Sequence, residues 1–185
     1  MNLNDNFRLI FFASLLSVCL ICGWSTRSQA QNYRNALTVD PLGLLFSNSS
    51  LQYESSISGE NSFTARIDFL FTKIQGYSVS AFGLGGSYRW YLPPYRAIDG
   101  LWVGPALDLI FLKWKYEKEV ISATFIHISG EVGYKFFFEQ IVVEPNFKLL
   151  FSVGSAKSSG TINQVELDYG DCIGYGFGLS VGYSW

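Results

Sequence analysis

The sequence predicts an all-β fold, an eight-stranded antiparallel up-and-down transmembrane β-barrel. Three observations carry this reading. The stretch Cys172 to Trp185 sets Ile173, Tyr175, Phe177, Leu179, Val181, Tyr183 and Trp185 at every second position, with a small residue in each interval. That is the period of a β-strand with one apolar face, and seven bulky positions in succession suit a lipid-facing strand of a closed barrel better than a soluble sandwich. Beyond residue 30 no segment has 18 uninterrupted apolar residues, so a membrane chain of this kind must cross as strands closed into a barrel, where every backbone group is paired. Finally, the charged residues of the third to seventh strands fall almost entirely on one parity, the outward faces carrying almost no charge.

From the N-terminus, Arg8, the apolar run Leu9 to Trp24 and the small-residue motif Ser28-Gln29-Ala30 predict a secretory signal cleaved after Ala30. Residues 1–30 are then a leader and 31–185 the outer-membrane barrel domain. Cys19 and Cys22 follow Val18 and Ile21, not the small residue a lipoprotein site requires, and leave with the leader. Cys172 remains alone, which excludes an internal disulfide and a cysteine metal cluster. It is read as a small packing residue. Removing the leader takes Arg8 and Arg27 from 13 basic residues and Asp5 from 15 acidic ones, leaving 11 against 14 and a net charge near −3. Such a chain has no basic surface for nucleic acid.

Eight period-two segments follow, at 36–46, 50–58, 62–72, 78–91, 101–115, 122–137, 141–153 and 165–185. The breaks carry turn chemistry, including Asn48-Ser49, Gly59-Glu60-Asn61, Gln75-Gly76 and Pro93-Pro94. An even strand number puts both termini on one side, the periplasm for this class. The longest outer loop is expected over Gly154 to Gln164, rich in Ser and Gly and exposed.

Parity assigns the faces. Outward stripes are Phe63 to Phe71, Phe82 to Trp90, Leu101 to Phe111, Ile126 to Phe136 and Ile141 to Phe151, each taken at every second residue. The opposite faces hold Arg66, Asp68, Arg89, Asp108, His127, Glu131, Lys135, Glu144, Asn146 and Lys148. Over the third to seventh strands, Asp68, Asp108, Glu131 and Glu144 meet Arg66, Arg89, Lys135 and Lys148. A base set in lipid at mid-depth would cost about 2–4 kcal/mol, so these groups are expected to form a lumenal polar network. The interior of an eight-stranded barrel is filled by side chains, which predicts a plug of ion pairs and not a pore. Trp90, Trp102 and Trp185 are expected at the periplasmic rim, and Trp114 with Tyr116 at the outer rim, as interfacial girdles. Asp40-Pro41 and Glu144-Pro145 are expected to mark bulges or bends within strands.

Several segments resemble a family of small, mostly uncharacterised bacterial outer-membrane β-barrels, loosely akin to the OmpA and OmpW type. They are ALTVDPLGLLF (Ala36 to Phe46), Leu51-Gln52-Tyr53-Glu54, GGSYRWYL (Gly85 to Leu92), GLWVGPAL (Gly100 to Leu107), SGEVGYKFFF (Ser129 to Phe138) and VEPNF (Val143 to Phe147). The resemblance implies fold and location rather than chemistry. It also implies recognition by the barrel insertion machinery through a terminal aromatic, here Trp185, although Ser180 stands where that signal commonly has Gly.

His127 and Ser129 form an HxS pair, with Glu131 two residues on. This resembles the arrangement of outer-membrane lipid A deacylases, in which a base activates a hydroxyl. The triplet lies on the charged parity, whereas a deacylase presents its site to lipid. The glycine-rich stretches Gly83 to Gly86 and Gly174 to Gly182 precede no helix and so form no phosphate cradle. The expected function is therefore that of a monomeric outer-membrane barrel, in contact with outer-membrane lipid, with a structural, adhesive or loop-mediated binding role. It carries no cofactor, metal or catalytic residue. The rival readings are a lipid-modifying enzyme using His127, Ser129 and Glu131, and a secreted lipocalin-like barrel with an apolar interior.

Overall fold

A computed structural model describes residues 33–45, 48–74, 77–94, 97–116, 119–159 and 166–185. The expected leader lies outside the described residues, as do the turn tips at 46–47, 75–76, 117–118 and 160–165. Eight strands, β1 (Asn35–Val39), β2 (Asn48–Ser56), β3 (Asn61–Ile74), β4 (Tyr77–Tyr91), β5 (Gly100–Tyr116), β6 (Glu119–Phe138), β7 (Ile141–Ser159) and β8 (Glu166–Ser184), pair in sequence order. β1 also pairs with β8, closing an antiparallel up-and-down barrel. Short connections make this order the natural one, since each strand meets its partner before any other is near.

The registers determine the barrel's dimensions. Stepping from Thr38 through Gln52, Arg66, Gly85, Asp108, His127 and Ser152 reaches Cys172, whereas the β8 residue that pairs with Thr38 is Gly182. The stagger on one circuit is therefore 182 minus 172, or ten residues. With about 3.3 Å per residue and about 4.8 Å between strands, this tilts the strands about 40° and gives a backbone radius of about 8 Å. One residue then climbs about 2.5 Å along the axis. Such a cylinder holds one layer of side chains from each wall.

Outward positions are apolar. Leu51, Tyr53, Phe63, Phe69, Phe82, Leu84, Leu107, Ile128 and Leu149 are exposed, while Gln52, Glu54, Thr64, Ser87, Arg89, Asp108, Glu131, Lys135 and Glu144 are buried. This inverts the ordinary partition between water and core. It is also opposite to the apolar lumen that a lipocalin-like barrel needs.

Five sequence expectations are corrected. The first strand does not reach Phe46: it ends at Val39 and is followed by the helical turn α1 (Pro41–Leu45). Asp40 caps that turn, its Oδ1 accepting from the Gly43 N–H at 2.9 Å, and Pro41 stands at the first helical position, where its missing N–H is no loss. Asp40-Pro41 is thus a strand end and not a bulge. The residues 154–159, expected in a loop, continue β7 to Ser159, and β8 begins at Glu166. Small and hydroxylic residues are tolerated there because both strands have partners. Trp102 is not at a rim. It is even-numbered on β5, shares the inward parity of Asp108, and is fully buried. Trp114 shares that parity by its register with Val79 and Ile121, so it belongs to the mouth of the interior and not to an outer girdle. The Tyr116 side chain is outside the described set.

Prolines interrupt two ladders without bending the chain out of its strand. The β4–β5 pairing lapses where Tyr88 and Arg89 face Pro105 and Gly104, and the β6–β7 pairing lapses where Tyr134 and Lys135 face Pro145 and Glu144. Each proline lacks the N–H its neighbour would have received. At the first gap the strands approach so closely that a Cβ on Gly104 would lie 1.8 Å from the Tyr88 carbonyl oxygen.

Candidate functional site

The candidate site is the barrel interior, which divides into two storeys along the axis. The lower storey lies at the end where both termini of the barrel meet, the Trp185 backbone pairing with Arg34 and Asn35. Its hub is Glu54 on β2, a residue the sequence reading left out of the network although it alternates with outward Leu51 and Tyr53. One carboxylate oxygen accepts from Ser62 Oγ at 2.5 Å and Tyr91 OH at 2.7 Å. The other accepts from Arg89 at 2.8 Å and from the Lys135 ammonium. Glu144 faces the same two cations, 3.1 Å from Arg89 and 3.0 Å from Lys135. Two acids and two bases therefore cancel. All four side chains are 0–1% exposed.

The Arg89 guanidinium also lies 3.7 Å over the Trp102 ring and donates to Gln52 at 3.3 Å. Guanidinium stacking on an indole face adds cation–π attraction where water is absent. This explains why Trp102 sits inside: it is the floor on which the buried cation rests. Ala36, Thr38, Tyr91 and Val142 complete the seal, each 2% exposed or less.

The upper storey is built on Arg66 of β3. Its guanidinium reaches Asp108 at 2.7 Å, Glu131 at 3.1 Å and Asp68 at 3.8 Å. A hydroxyl pair, Thr64 with Ser87 at 2.6 Å, separates the storeys. His127 and Lys148, placed in the same network by parity, take no part in the ion pairs just given but lie within electrostatic reach of the upper storey, Lys148 of Asp68 and His127 of Asp108. His127 packs near the Phe125 ring, and Lys148 runs its stem alongside Gly176. Across the ladder from Lys148, Glu131 is turned to Arg66.

Counted over the described interior, five carboxylates (Glu54, Asp68, Asp108, Glu131 and Glu144) meet four bases (Arg66, Arg89, Lys135 and Lys148). The balance read from the third to seventh strands lacked Glu54. The surplus acid belongs to the upper storey, because the lower one is neutral within itself.

Towards the distal rim the interior changes character. Inward positions there include Leu70, Val79, Ala81, Ile110, Leu112, Trp114, Ile121, Phe125 and Leu150, which are intermediate in exposure apart from the exposed Trp114, while Ala123 on the same parity is buried. Cys172, expected as a packing residue, is likewise exposed. The strands extend beyond the ion pairs and the wall opens, so these positions surround a cup that solvent reaches.

The HxS triplet forms no hydrogen-bonded relay. Ser129 is 5% exposed and its Oγ has no hydrogen-bond partner, so no base holds its proton. Glu131 is occupied by Arg66 and does not orient His127. Among the described residues no group of three or more His, Cys, Asp or Glu side chains forms a metal site.

No family model, curated protein or solved structure matches the chain. The shown identity is the fold: an eight-stranded closed barrel, compatible with the OmpA and OmpW type.

Proposed function

We propose that this chain is a bacterial outer-membrane β-barrel, inserted through its terminal aromatic strand, with both chain termini of the barrel on the periplasmic side and a non-catalytic structural or binding role. The observation that carries this is the order of side chains up the outer wall. Near the terminal end lie Tyr53, Tyr88, Trp90, Tyr134, Tyr183 and Trp185, several in ring contact: Tyr88 with Trp90 at 5.1 Å, Tyr183 with Trp185 and Tyr53 with Trp185 both at 6.3 Å. Above them come Ile67, Leu84, Leu107, Ile128 and Phe177, and above those the polar Ser80, Lys113, Ser122 and Thr124. From Trp90 to Ser80 is ten residues, or about 25 Å along the axis at about 2.5 Å each. That equals the apolar band of an outer-membrane barrel, about 25 Å. Amphipathic rings prefer the headgroup level, and phenylalanine and aliphatic groups the hydrocarbon.

β5, β6 and β7 continue past this band, so a collar of strand stands over the distal surface. The sealed lower storey blocks ion passage, and binding is assigned to the collar and its cup. The test is fractionation followed by gel mobility. The protein is expected in the outer-membrane fraction, released by detergent, with a compact fast-running form that boiling converts to a slower one. Recovery in the soluble periplasm with a single mobility would overturn the proposal.

A further inference from the structure

We propose that the distal cup binds an organic ammonium ion bearing an apolar body, with Asp68 as its counter-ion. The surplus carboxylate of the interior lies in the upper storey, and Asp68, which accepts a side-chain hydrogen bond from Ser50, is the most exposed acid there. Its side chain is 26% exposed, against 5% for Asp108 and 4% for Glu131, and it sits 3.8 Å from Arg66 while the other two are at 2.7 and 3.1 Å. Arg66 is thus committed to its closer partners.

A second feature points the same way. Ser129 Oγ is buried without a partner at the level of these acids, its residue lying between Ala106 and Leu150 on the inward parity. Buried hydroxyls normally find partners, and this one offers an acceptor lone pair to a cationic head. Above it the walls are Ile110, Leu112, Phe125 and Trp114, aliphatic and aromatic surface that suits an alkyl chain. Charge decides the class of ligand: an anion would add to a storey that already holds three acids against Arg66 and Lys148.

The inference rests on the closed barrel and its interior charges and not on the membrane setting, so its failure and that of the outer-membrane reading are separable. Purified full-length protein in a neutral detergent, at a pH near 7.5, is titrated calorimetrically with hexyltrimethylammonium, hexanoate and hexanol. The quaternary ion is expected to bind at least tenfold more tightly than either of the others. Asp68→Asn is expected to weaken it at least tenfold while the boiled and unboiled gel forms stay as in the wild type, and Trp114→Ala to weaken it by a smaller factor. Equal or tighter binding of hexanoate, equal binding of hexanol, or an unchanged affinity in D68N would each overturn the proposal. So would binding that appears only in His127→Gln, which would show that an imidazolium already supplies the missing positive charge.

Discussion

Replacing Arg89 with Met tests whether the lower storey is a coupled set of charges. The substitution keeps most of the side-chain volume but removes the contacts to Glu54 at 2.8 Å, Glu144 at 3.1 Å, Gln52 at 3.3 Å and the Trp102 ring at 3.7 Å. Lys135 is then left with two carboxylates that are 0–1% exposed, so one buried charge is uncompensated. Breaking such a pair from one side costs about 3–5 kcal/mol. With a urea dependence of about 2 kcal/mol per molar, the unfolding midpoint in detergent should fall by about 1.5–2.5 M. Tryptophan fluorescence follows the transition, because Trp102 lies directly under the lost group. Adding Glu144→Gln removes the excess negative charge, and the double variant is expected to regain more than half of the loss, a coupling of about 2 kcal/mol that independent sites would not show. A loss below about 1 kcal/mol for Arg89→Met, or a double variant as unstable as the two single losses added together, would refute the reasoning.

Trp102→Ala is expected to cost about 3–5 kcal/mol by leaving a cavity under Arg89, and outward Trp90→Ala less than half of that; equal losses in the same urea titration would return Trp102 to a rim. Gly182→Ala would place a Cβ 1.9 Å from the Leu37 carbonyl oxygen in the closing β1–β8 ladder, so a loss of about 1–3 kcal/mol is expected. Gly130→Ala, with nothing within 4 Å of its added Cβ, should be neutral within about 0.5 kcal/mol, and matching losses would contradict the closure described. Burial pushes the Asp99 carboxyl above its ordinary value of 3.8, with Lys135 opposing. The folded chain therefore holds that proton more tightly than the unfolded one, and stability falls as pH rises from 3.8 through the raised value. Asp99→Asn is accordingly expected to stabilise the barrel at about pH 7 and to make no difference at about pH 3, and unfolding midpoints at the two values check it.

The sequence by itself determined the strand number, the antiparallel order and the face of almost every side chain. The reason is that strand alternation has a period of two, so parity at one residue carries along the whole element. Phe69, Leu107 and Leu149 read outward from neighbours alone, as Arg89 and Glu144 read inward. Local signals were weaker where chemistry depended on the end of an element: Asp40-Pro41 carries a cap and a first-turn proline, yet the apolar run to Phe46 continues the strand pattern across it. At Trp102 the two signals disagree: its type suggests an interface, while its parity, the stronger signal, points inside, where the residue is fully buried.

Only the tertiary structure decided which inward groups meet. Glu54 and Lys135 are 81 residues apart in sequence and touch because the stagger of ten residues brings that level of β2 against that level of β6 across a cylinder about 8 Å in radius. The stagger is a closure property, summed over seven registers and fixed by the eighth, and no single strand contains it. For the same reason the division into a sealed, neutral lower storey and an acidic upper one opening into an apolar cup is a fact of the closed barrel.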